Sequence, residues 1–168
     1  MRFLKDVYQG NFPISQRFGE NPQVYNRFGM CGHSGVDFAT PKGTPLLSAY
    51  GDGAGDHVVK IAHYDEVGFG WHVRTHAIVN GEIFELTWAH MEKEPEVQAG
   101  DILTVGQILG YSGNTGFKFS TSGGMGYHLH FQVRRIAQDG ITVLGWSKWP
   151  DDPKGMKGAI DPLPLFDL

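Results

Sequence analysis

The chain has 168 residues, 40% hydrophobic and 19% charged, enough for one domain with an ordinary buried core. A net charge of −4 gives no electrostatic case for nucleic acid or an anionic membrane surface, and a single cysteine excludes an internal disulfide framework. No apolar segment approaches membrane-spanning length, so no membrane insertion is expected.

The 24 glycines and the lack of long amphipathic helical patterns predict short strands joined by turns, a mainly antiparallel β domain with no linker dividing it. The N-terminal MRFLKDVYQGNF carries no signal-peptide run. The stretch GHSGVDFATPKG, Gly32 to Gly43, then places His33 and Asp37 four apart. Glycines, Val36, Phe38 and Pro41 oppose a helix here. In a straight strand the two residues would stand about 13 Å apart. A bend at Ser34-Gly35 leading into a strand at Val36-Asp37-Phe38 would let an imidazole nitrogen and a carboxylate oxygen approach one point, as a metal requires.

Gly51 to Asp56 reads as a hairpin turn, because it lacks the ligand spacing and closing Glu of a calcium loop. Val58–Ala62 is a short strand. Trp71–Ala77 alternates with period two, and Asn80-Gly81 turns it into a second strand, Glu82–Trp88. His90 follows, on the face of Trp88 by alternation. Ile102–Val105 and Ile108–Leu109 are extended, and His128–Arg135 is a strand with Ile141–Leu144 pairing back onto it across Asp139-Gly140. In that strand His128 and His130 point one way while Leu129 and Phe131 face the core. Two imidazoles on one face suit a metal site or an acid/base site. Gly123 to Gly126, just before them, allows close approach of backbone or substrate. Residues 147–158 form a polar loop, and the tail Ile160–Phe166 is extended.

Other polar features carry bland expectations. His72 and His76 occupy a solvated strand face, too far apart to share a metal; His57 and His63 are surface residues. Cys31 is a small buried or half-buried thiol, Met91–Glu94 a solvated charge run, and Trp146 and Trp149 are tucked-in loop aromatics.

Taken together, FPISQRFG (Phe12–Gly19), HSGVDFATPKGTPLLSA (His33–Ala49), TWAHM (Thr87–Met91), VQAGDILTVGQILGYSGNTG (Val97–Gly116), HLHFQV (His128–Val133) and the closing IDPLPLF resemble the lysostaphin/LytM-type zinc endopeptidases, which cleave peptide bonds in bacterial peptidoglycan. The resemblance covers nearly the whole chain. It implies a single LytM-type peptidase domain over residues 1–168: a Gly-rich antiparallel β-sheet of the duplicated hybrid motif type, with long groove-forming loops. It implies one Zn²⁺ per chain held by His33, Asp37 and His130, with His90 and His128 as catalytic histidines beside it. Such a set leaves one coordination position open, as catalytic zinc does. The implied partner is a peptidoglycan peptide, the expected state a monomer, and the expected place of action the bacterial cell wall. Without a leader, delivery as a phage lysin or virion-associated enzyme, or origin as an excised piece, is expected.

The chain departs from the family pattern at Trp88, where the family has Tyr, at Gln132, where it has Glu, and in apparent insertions near 117–127 and 147–158. Two rival functions are a non-catalytic scaffold of the same fold that activates another wall hydrolase, and a plain β module that binds glycan or peptide. Retention of all five histidine and aspartate positions counts against the first, and a binding module would keep its ligand under chelation.

Overall fold

Alternating side chains sort each long strand into two faces, and antiparallel pairing sums those faces into one sheet. The computed structural model of the protein describes residues 1–51, 55–116, 126–146 and 155–167. Its strands are β1 (Ile14–Gln16), β2 (Val36–Phe38), β3 (Pro45–Leu47), β4 (His57–Asp65), β5 (Gly70–Val79), β6 (Glu82–Met91), β7 (Ile108–Tyr111), β8 (Leu129–Ile136) and β9 (Ala159–Ile160). The main sheet runs β1-β2-β8-β6-β5-β4, with β9 pairing β8, and β3 pairs β7 in a second, two-stranded sheet. Every pairing between these strands is antiparallel. The expected mainly antiparallel β domain is the one observed.

The β5–β6 hairpin turns at Asn80-Gly81, where both residues adopt the positive φ (50° and 79°) that a two-residue loop of this hand demands. Across the centre of the sheet, Val36, Phe131, Trp88 and Val73 are cross-strand partners in one row. All four are fully buried. Trp88 meets Phe131 edge-on at 5.2 Å between ring centroids, and Leu46, Leu103 and Leu109 join the same core. Burying a side chain of this size stabilises by about 1.5–3 kcal/mol, so this row holds β2, β8, β6 and β5 together. The opposite face of the same strands carries Asp37, His130, Gln132 and Arg74, all lining a groove.

Several expectations are corrected. His57 is not on the surface but fully buried: Nδ1 bonds the Tyr50 carbonyl and Nε2 lies 2.6 Å from Thr75 Oγ1. It starts β4 on the core face, beside Ala77. His72 is not solvated either; it is buried between Phe69 and His63, at ring distances of 5.5 and 4.9 Å. His76 is half-buried and His63 exposed. Met91 belongs to the core rather than to a charge run. Ile102–Val105 makes isolated contacts instead of a strand, whereas Ile141–Leu144 does pair back onto the end of β8, through the Ile136–Val143 bridge and backbone bonds from Ala137 N–H to Thr142 O and from Leu144 N–H to Arg135 O. The tail is β9 followed by a 3-10 turn at Leu163–Leu165, because Pro162 and Pro164 fix helical-type φ rather than a ladder. Residues 52–54, 117–125 and 147–154 lie outside the described residues, and with them most of the two apparent insertions, most of the Gly123–Gly126 run, the centre of the Gly51–Asp56 turn, and Trp149.

Burial pushes the His57 imidazole from 6.5 down to about 4. An unfolded chain would take up a proton between those values that the folded chain refuses, so the stability from this group is complete above pH 6.5 and falls as pH drops toward 4. The loss reaches about 3 kcal/mol for this group. Denaturant unfolding at pH 7 and 4.5 should show His57→Gln less stable than the wild type at pH 7 but with a flatter pH dependence.

Candidate active site

The site begins with a register. β2 pairs β8 so that Asp37 stands directly opposite His130. The His130 ring nitrogen Nδ1 lies 2.9 Å from Asp37 Oδ1. Just before β2 the chain bends at Ser34 and Gly35, which folds His33 back over the strand. His33 Nε2 comes to 3.1 Å from the same Asp37 oxygen and 2.9 Å from His130 Nδ1. The bend depends on glycine: a Cβ at Gly35 would fall 2.4 Å from the Phe131 carbonyl and 2.8 Å from the His130 ring. Ser34 then ties the bend to β8, its hydroxyl donating to Gln132 Oε1 at 2.8 Å. Gln132 thus supplies an acceptor where the family pattern has a carboxylate, without adding charge.

His33, Asp37 and His130 are each at least nine-tenths buried. Their ligand atoms lie within 4.8 Å of one another, the one such group of three among the described residues. His33 Nδ1–H donates to the Arg17 carbonyl at 3.2 Å, which orients Nε2 inward. Phe69 stacks on the His130 ring at 5.6 Å. Burial pushes the Asp37 carboxyl up, but the facing His130 and His33 rings outweigh it and hold the group below the usual carboxylate range. Burial holds His130 low, against the pull of Asp37. Three basic atoms facing one another at these distances repel unless a cation joins them, and two imidazoles with one carboxylate form a catalytic zinc donor set. The residues fit a divalent metal.

His90 reaches the site by a route the alternation rule misses. The β5–β6 register shifts between Trp71 and Val73, so that Ala89 and His90 together oppose His72. In this β-bulge His90 takes φ 61°, a left-handed conformation costly for a non-glycine residue. Trp88 stays in the core, and His90 turns to the groove, 4.9 Å from the His128 ring and 5.9 Å from that of His130. The expectation that Trp88 and His90 share a face is therefore wrong, and the Trp-for-Tyr departure lies in the core rather than in the groove. His90 Nδ1–H donates to the Thr115 carbonyl at 2.8 Å. His128 Nδ1–H donates to the Gly126 carbonyl at 2.8 Å, with Nε2 3.8 Å from Asp37 Oδ2. Burial, then neighbouring His128 and His130, push His90 down to about 3, so its ring is neutral at neutral pH.

The structure thus brings together all five residues singled out from sequence. Cys31 stands apart: it is half-buried as expected, and its sulfur meets Met156 at 3.2 Å. Trp146 is exposed at the rim rather than tucked in. Two groove residues escaped sequence reasoning. Tyr25 lies 5.4 Å from the His33 ring, and its hydroxyl donates to Gln16 at 3.2 Å. Burial, then the Asp37 charge, push that hydroxyl up to about 12, keeping it a proton donor. Arg74 is the other. Neither sits in a motif, and only the folding of separate segments onto one groove could reveal them. The groove itself encloses about 960 Å³, room for a peptide.

The sequence profile of a family described as Peptidase family M23 matches residues 31–143. The chain is similar to the glycyl-glycine endopeptidase ALE-1 of Staphylococcus capitis, 33% identical over 154 residues, covering 84% of this chain and 38% of that protein. It is also similar to an uncharacterized metalloprotease of Buchnera aphidicola, 32% identical over 133 residues, covering 78% and 31%. The chain therefore spans about a third of the length of these curated relatives. Among solved structures, the catalytic domain of lysostaphin from Staphylococcus simulans shares the fold at a TM-score of 0.62 and 25% identity, covering 92% of this chain and 91% of that one.

Asp37 Oδ1 is the atom both ring nitrogens share. Asp37→Ala should weaken binding of a divalent metal at least about 100-fold, read by zinc titration against a chelating dye. An unchanged far-ultraviolet spectrum would show that the fold survives.

Proposed function

The chain belongs to peptidase family M23, and from that premise we propose that it is a zinc-dependent endopeptidase hydrolysing a peptide bond in bacterial cell-wall peptidoglycan, in a stem peptide or cross-bridge. The observation that carries this reading is the convergence of His33, Asp37 and His130 beside the His90–His128 pair at the floor of an open groove. The same reading takes residues 1–168 as one peptidase domain, acting at the bacterial cell wall. No helix among the described residues is long and apolar enough to cross a membrane.

His33, Asp37 and His130 would hold one Zn²⁺, which when bound lowers the pKa of a water and polarises a carbonyl. The chain's own groups then govern the proton traffic. His90 and His128 each commit Nδ1–H to a backbone carbonyl, so each offers Nε2 toward the groove as the atom that accepts or releases a proton. Between them the two rings take a proton from the attacking water and return one to the leaving amine, and an N–H presented by either stabilises the developing oxyanion. Tyr25, kept protonated by burial and by Asp37, packs against His33 and commits its O–H to Gln16. The β-bulge at His90 and the Thr115 carbonyl fix one ring, so little reorganisation is needed when the peptide arrives.

His128→Ala should lower kcat on peptidoglycan about 10²- to 10⁴-fold while zinc content, measured by elemental mass spectrometry, stays at one per chain. His90→Ala should do the same. Chelation should stop release of peptide fragments from the wall, and added zinc should restore it. One bound zinc with no fragments released from any wall chemotype would leave the scaffold reading in its place.

A further inference from the structure

The groove face of the sheet is arranged in cross-strand rows. The first holds Asp37 and His130, the second Gln132, Thr87 and Arg74, the third Arg134, Glu85 and His76. Successive rows stand two residues apart, about 7 Å along the strands. Arg74 and Arg134 both line the groove.

Charge in the second and third rows does not balance. Two guanidiniums share one carboxylate, and Arg134 takes it: its Nε donates to Glu85 Oε1 at 2.8 Å, with His76 Nε2 3.9 Å from Oε2. Asp65, the nearby groove acid, accepts from the Val67 amide at 3.0 Å, and it and Glu85 attract the Arg74 charge through space, less than burial opposes it. Arg74 is half-buried over the Phe69 ring, at 5.2 Å. Its Nε is buried without a hydrogen-bond partner among the described residues, and so is Thr87 Oγ1 in the same row. Burial penalises the Arg74 charge. A guanidinium held this way is costly on its own, and a carboxylate that docks against it gains a charge-assisted bond.

We infer that Arg74 is a specificity-determining residue that receives a free carboxylate of the substrate, about two extended residues (about 7 Å) from the cleaved bond. The substrate class is then an acidic peptide rather than an uncharged bridge. This rests on the peptidase reading above and refines it.

The test uses two synthetic peptides, identical except that the carboxylate two residues from the cleavable amide is free in one and a carboxamide in the other. Their affinities are measured by calorimetry on zinc-loaded His128→Ala protein, with and without Arg74→Gln, and hydrolysis is followed in parallel on the wild type. The free carboxylate should bind roughly 10- to 100-fold tighter, and Arg74→Gln should erase that preference while leaving the carboxamide peptide unaffected. Arg74→Lys, expected to keep part of the preference, decides the matter if Arg74→Gln fails to fold. Equal affinity for the two peptides, no binding of either, or a preference that survives Arg74→Gln would overturn the inference. A preference that depends on Arg74, without hydrolysis of either peptide by the wild type, would instead end the peptidase reading and leave the subsite standing.

Discussion

The placement of Asp37 opposite His130 by the β2–β8 register is the constraint on which the site depends. A slip of one residue would carry Asp37 to the core face and Phe38 to the groove. The slip is opposed by the neighbouring row, because Val36 and Phe131 are fully buried beside Trp88 and Val73 and must stay so. Apolar packing on one face of the sheet thus fixes, with no contact of its own, the position of the charged atoms on the other. The bend at Gly35 adds His33 to the pair, and its steric demand for glycine is another consequence of how closely β2 approaches β8.

Burial gives the site its electrostatic character. Asp37 stays ionised because two imidazoles face it and outweigh its burial, and His90 stays neutral because the same dry surroundings oppose its charge. One environment therefore leaves both groups deprotonated, the carboxylate charged and the imidazole neutral. Of the non-glycine residues with positive φ among those described, Asn21, Asn80, His90 and Lys157, His90 is the one in this histidine cluster: it sits bulged where β6 leaves the regular ladder, beside the Thr115 carbonyl that orients its ring. The Arg74 guanidinium, its Nε without a hydrogen-bond partner among the described residues, lies on the same floor one row away, so groove and donor cluster are continuous surfaces of a single sheet.

How much was legible in the sequence can be followed residue by residue. His128 and His130 were readable as sharing a face because strand alternation is a local rule and β8 obeys it. The bend at His33 was readable because glycine before a β-branched strand start is a local signal. His90 was misplaced by the same alternation rule, since a bulge is set by the partner strand and not by its own residues. His57 and His72 were misjudged because polar residues default to the surface, whereas here Thr75 and the Tyr50 carbonyl make one burial tolerable and Phe69 with His63 covers the other.

The sequence by itself determined the donor types, their order along the chain, the strand and turn character of their surroundings, and the family they resemble. All of these rest on residues close in the chain. Only the tertiary structure decided that His33, Asp37 and His130 meet at one point, that His90 turns away from Trp88, and that Tyr25 and Arg74 share the groove. Those outcomes depend on the register between strands far apart in sequence, and such a register is chosen by the packing of the whole sheet, which no single segment contains.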